Sequence, residues 1–182
     1  KQHDFNSWKL SFLIDYIITI HHSYVNESAP VLKELSEKVA EGEAKTSLLY
    51  LGDFVDKDGM SKSATAEEVS RLERCIQLGQ IADEYFFLPG DSEWNNAKIG
   101  GKKKVKNLNK YIKEKLGKGK LKTNDGCPGP DVVDIGAHLR IIFINSHWFV
   151  HDEKDRPNEQ DTDCKFFNEV GFWDEVEGNI KS

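Results

Sequence analysis

A chain of 182 residues with 38% hydrophobic and 31% charged side chains fits one soluble globular domain with a real core. Five prolines and 14 glycines exclude a fibrous or low-complexity chain. The longest apolar run, FLIDYIITI, is broken by Asp15 and falls short of the ~18 residues that a bilayer span requires.

In chain order, WKLSFLIDYI (residues 8–17) reads as a buried strand, being short and nearly continuous in apolar residues. ESAPVLKELSEKVA follows as a helix, with Ser28 placed to cap it and Pro30 in its first turn. TSLLYLGD is a second strand ending at Gly52. SATAEEVSRLERCIQLGQIA is a helix with Val69, Leu72, Ile76 and Gly79 on one side. EYFFLPGD is a third strand, stopped by Pro89-Gly90.

The lysine-rich stretch carries Val105, Leu108, Ile112 and Leu116 at helical spacing and ends at Gly117 and Gly119. PDVVDIG and LRIIFINS read as a hairpin around Gly136, and KFFNEVGFWDEV as a short amphipathic piece. Strands alternating with helices predict an α/β layered fold, helices flanking a largely parallel core sheet, in one domain over residues 1–182.

The net charge of −6 hides an asymmetry. Residues 98–122 hold 11 of the 25 basic side chains and one acid, +10 locally against −16 elsewhere. The segment reads first as a lysine-faced helix that keeps itself solvated, and second as a face for an anionic partner. Of the three cysteines, Cys75 lies in a helical pattern and reads as a small buried hydrophobe. Cys127 and Cys164 lie in loop-like surroundings, where a bridge in an oxidising compartment and two free thiols are equally open readings.

Chemistry gathers where the strands end. In open α/β sheets ligands bind beyond the carboxyl ends of the strands. Asp15 follows SFLI, Asp53 follows LLYLG and Asp91 follows FFLPG. Carboxylates converging there repel one another unless a cation is shared between them. An EF-hand loop is excluded, because aligning Asp56, Asp58 and Gly59 puts Phe54 and Thr65 where carboxylates are needed. A phospho-acceptor receiver domain fits less well, since FLIDY offers one acid and IIFINSHW ends without a lysine.

Five blocks in order carry a resemblance: ESAPVLKEL, LGDFVDKDGM, PGDSEWNN, DGCPGP and NSHWFVH. They are similar to the blocks of the calcineurin-like metallophosphoesterase superfamily, purple acid phosphatases included, and most of all to a bacterial envelope branch of it. The resemblance covers roughly residues 8–175. It implies a metallophosphoesterase-like sandwich, incomplete at its C-terminal end, that hydrolyses phosphate mono- or diesters with divalent cations (Mn, Fe or Zn). It also implies that Asp53 bridges two cations, that Asp56, Asp91 and Asp15 are further candidate ligands, and that Ser92 stands at the position of the catalytic histidine. His147 and His151, four residues apart after the last strand, are candidate ligands facing the site, and His21 and His22 are weaker ones.

The chain departs from the pattern at three places. IDYIITIHHS lacks the Asp-x-Gly or Asp-x-His of the first block, Asn-His has become Asp91-Ser92, and a Gly-His-x-His block has no counterpart. A serine is no acid near neutral pH. The departures favour the alternative that the chain is an inactive phosphoesterase-like binding module in an outer-membrane assembly. The expected partners are then a phosphate ester or envelope proteins rather than nucleic acid. Membrane association would come through parts outside this chain, and the bacterial periplasm or cell surface is the expected location. Trp94 and Trp148 read as packing beneath the site.

Overall fold

The computed structural model describes residues 16–20 (backbone only), 46–55, 58–96, 98–137, 139–150, 156–157 and 164–182. Three parallel strands form the central sheet in the order β1 (Tyr16–Ile20), β2 (Thr46–Leu51), β3 (Glu84–Leu88). Tyr16 pairs with Thr46 and Ile20 with Tyr50, while Ser47 pairs with Glu84 and Leu51 with Leu88. A separate antiparallel hairpin joins β4 (Asp131–Ile135) to β5 (Leu139–Phe143) around Gly136, whose φ is +61°. The chain is thus mixed α/β, with a small parallel sheet and helices.

The first strand differs from the expectation. Its described residues are YIITI, which carry it past the expected end at Ile17 to Ile20, where three isoleucines and a threonine concentrate β-branched side chains. The carboxyl end of β1 is therefore Ile20, and His21 and His22 follow it in sequence. Asp15, expected at that end, precedes Tyr16 and lies outside the described residues. So does the expected helix over residues 27–40.

Alternation along β2 and β3 sorts the core into two clusters. Leu48, Tyr50 and Phe87 face the helices, packing on Leu72, Cys75 and Ile76 of α1 (Ala66–Gly79) and on Leu108 and Ile112 of α2 (Gly101–Leu116). Leu49 and Phe86 point the other way, onto Phe143, Val133 and Ile141 of the hairpin. Each aliphatic side chain buried this fully contributes about 1.5–3 kcal/mol. Cys75 is buried and unbridged, and burial pushes its thiol up to about 12, so it serves as packing.

Local signals explain the helix ends. Thr65 and Glu68 form a reciprocal capping box, with Glu68 N–H donating to Thr65 Oγ1 at 3.3 Å and Thr65 N–H to Glu68 Oε2 at 2.7 Å. Gly117, with φ +87°, ends α2 where a side chain would be strained. Beyond it, Leu121 makes a parallel bridge to Phe87. The chain then passes through a 3₁₀ turn (Asn124–Gly126) to the hairpin, a short helix α3 (Ser146–Val150) and a last helix α4 (Glu169–Lys181), which Asn168 caps. Cys127 and Cys164 are disulfide-bonded, which decides between the two readings of these thiols.

Candidate functional site

Two loops leave adjacent parallel strands at the same edge, and both do so through glycine. Gly52 follows β2 with φ +84°, and Gly90 follows β3. A Cβ on either would stand 2.7 Å from the other's Cα, so the two backbones touch where only glycine allows it. Gly52 and Asp53 are both left-handed, Asp53 at φ +56°. Successive residues of this kind turn their following N–H groups toward one side, making a concave donor set.

Glu93 fills that concavity. Its Oε2 accepts from Asp53 N–H (2.8 Å) and Gly90 N–H (2.9 Å), and its Oε1 from Phe54 N–H (2.9 Å) and Val55 N–H (3.0 Å). The residue is wholly buried. Removal from water pushes its carboxyl above the ordinary range, while the N–H groups of Gly90, Asp53 and Val55 pull against that rise. On the far side of the loop, the Arg71 guanidinium of α1 donates to Val55 O at 2.9 Å and Asp53 O at 3.4 Å. One carboxylate holds the turn by its donors and one guanidinium holds it by its acceptors.

This frame brings candidate residues together. The Asp53 carboxylate accepts from the backbone N–H of Ser92 at 3.2 Å. Beside it, Asp91 Oδ1 lies 3.4 Å from His147 Nε2, with the Asp91 side chain 59% exposed and that of His147 14%. His147 reaches this edge because β5 runs toward it and passes through Asn145 into α3. Asn145 is buried and anchors that crossing: its N–H donates to Pro128 O at 3.0 Å, and its Nδ2 to Cys127 O at 3.2 Å and Gly126 O at 3.4 Å.

Trp94 and Trp148 are both buried. Trp94 packs under His147 with ring centroids 5.8 Å apart, and Gly126 lies so close that a Cβ there would stand 2.8 Å from the indole. The Arg156 guanidinium covers Trp148 at 4.3 Å.

Of the sequence-predicted residues, Asp53, Asp91, Ser92 and His147 therefore meet at one edge. Asp56 and His151, like Asp15, His21 and His22, lie outside the described residues. Among the described residues no group of three or more His, Cys, Asp or Glu is close enough to hold a metal ion. Two carboxylates and an imidazole are suitable donors for a divalent cation in kind, but Asp53, Asp91 and His147 do not stand close enough together to share one.

Sequence reasoning passed over Glu93 and Arg71. The available signal for Glu93 was an acid wedged between Ser92 and the apolar Trp94 in a compact P-G-D-S-E-W turn. Among the described residues no helix is long and apolar enough to cross a membrane. No protein family, curated protein or solved structure matches the chain.

Proposed function

We propose that the chain is a metallophosphoesterase-type domain of a bacterial envelope protein, built for metal-dependent hydrolysis of phosphate mono- or diesters. The observation that carries this reading is the contact between the LGDF and PGDSE loops. There the Asp53 carboxylate sits on the Ser92 N–H, beside the Asp91–His147 pair, at the carboxyl edge of parallel strands. Helices on one face of that sheet and a hairpin on the other agree with a metallophosphoesterase-like sandwich.

In this reading Asp53, Asp91 and His147 supply part of the ligand set, and Asp15, Asp56 and His151 are the remaining candidates. The cations would polarise a phosphoryl oxygen and lower the pKa of bound water. The chain's own contribution is positional. Glu93 and Arg71 hold the Asp53 turn, and the Ser92 N–H orients its carboxylate. The Ser92 hydroxyl does not protonate a leaving group near neutral pH. Esters whose leaving oxygen departs without a proton, such as aryl diesters, are therefore the substrates this site suits best.

A second reading, an inactive binding module in an envelope assembly, draws support from the same edge. The Asp53 carboxylate already accepts from the Ser92 N–H, and Ser92 stands where the resemblance expects the catalytic histidine. The Cys127–Cys164 bridge suits an oxidising compartment under either reading.

Metal analysis of the purified protein together with a chromogenic aryl phosphodiester assay in Mn²⁺ separates the two. The enzyme reading expects about two equivalents of Mn, Fe or Zn. It also expects turnover that Asp53→Asn abolishes. Protein free of metal, with no activity sensitive to that substitution, leaves the binding module.

A further inference from the structure

The helix α2 turns Val105, Leu108 and Ile112 into the core, and these positions leave the opposite face to lysine. Lys103, Lys106, Lys110 and Lys113 follow one another at i, i+3, i+7 and i+10, a straight row about 15 Å long at 1.5 Å per residue. Lys103, Lys110 and Lys113 are exposed and Lys106 is half-buried. Lys118 continues the basic character past the helix end, also exposed. Glu114, paired with Lys110 at 3.8 Å, is the one acid on the helix. At the amino end of the row stands Ile99, which at 84% is the most exposed large apolar side chain among the described residues.

We infer that this face of α2 docks on an anionic lipid bilayer, with the lysine row on the headgroups and Ile99 entering the interface. Ile99, four residues before Lys103 in the chain, adds an exposed apolar side chain that a lipid interface can take up. A flat partner also answers the charge distribution. Residues 98–122 carry +10 and the remainder −16. A planar anionic surface can meet the lysine row along its whole length. The row also lacks a stacking platform for bases, because the helix's one aromatic, Tyr111, is turned to Glu73 on α1 and hydrogen-bonds it.

The test is co-sedimentation of the intact chain with vesicles of phosphatidylcholine alone or mixed with phosphatidylglycerol, at low and physiological salt. The expected result is binding to the anionic vesicles only, weakening as salt rises. Replacing Lys103, Lys106, Lys110 and Lys113 with Gln should weaken partitioning by several hundred-fold, at about five-fold per lysine. Ile99→Ser should weaken it by a smaller, salt-independent factor, with the melting temperature of both variants unchanged. The inference is overturned if anionic vesicles leave the protein in solution at low salt, or if the lysine variant binds as well as the parent. Capture of single-stranded RNA with the same lysine dependence, while vesicles stay bare, would also overturn it. Neither readout depends on phosphoesterase activity.

Discussion

Two junctions hold the site edge together, and they are made of opposite materials. The loops after β2 and β3 are joined by a single carboxyl group, Glu93, withdrawn from water and surrounded by backbone N–H donors. The crossing from the hairpin to α3 is joined by neutral and covalent means, the Asn145 amide and the Cys127–Cys164 bridge. A buried carboxylate is stable only while every partner stays in place, so the first junction is stiff and intolerant of change. A disulfide acts largely through the unfolded chain, so its removal weakens the molecule without redirecting the site. Rigidity is thus greatest where Asp53 must be placed.

The comparison breaks most visibly at Glu93. Replacing it with Gln puts a donor amide against backbone N–H groups and should cost about 3–5 kcal/mol in chemical denaturation, as two buried N–H groups lose their acceptor at roughly 1–3 kcal/mol each. Removing the other junction's bridge with Cys127→Ser and Cys164→Ser frees a loop of sequence separation 37. A loop of that size predicts a loss of about 4 kcal/mol in the chain-entropy treatment, commonly less when measured. If the edge binds a cation as proposed, the double serine variant keeps that affinity and Glu93→Gln weakens it.

Gly90→Ala brings a methyl within 2.7 Å of the Gly52 Cα. The backbone must shift to admit it, and a loss of about 1–3 kcal/mol is expected. That variant should impair cation affinity more than the bridge variant does, although it destabilises less.

The smallest effect is in pH dependence. Burial lifts the Glu93 carboxyl in the folded state, so on raising pH the unfolded chain gives up this proton first. Its contribution to stability is then full below the ordinary glutamate value, falls as pH rises toward the raised one, and is flat above. Carboxyls with lowered values, the exposed Asp134 beside Arg140 and the half-buried Glu175 beside Lys165, act in the opposite sense as pH falls. The difference between parent and Glu93→Gln profiles therefore isolates the Glu93 slope.

Much of this was legible in the chain because periodicity and punctuation agree. TSLLYL, EYFFL and the α1, α2 and hairpin segments have apolar spacings that match the faces they bury. The meeting of Asp53 with the Asp91–Ser92 loop followed from parallel strands ending at one edge. Glu93 was not legible, because a charged residue becomes buried only when two distant loops converge on it. The carboxyl end of β1 was not legible because FLIDYIITI is apolar on both sides of Asp15, and the pairing with β2 runs on to Ile20. The bridge was undecided because spacing alone does not bring Cys127 and Cys164 within reach.

On the proposed metallophosphoesterase reading, Asp53 and the Asp91–Ser92 loop form one cation-binding edge. Titrating isotope-labelled protein with substoichiometric Mn²⁺ and following amide line widths tests it directly. The account predicts that the signals of residues 53–55 and 91–93 broaden first, and that Asp53→Asn prevents this while leaving the spectrum otherwise folded. Broadening confined to other acidic surfaces, or unchanged by Asp53→Asn, would contradict it.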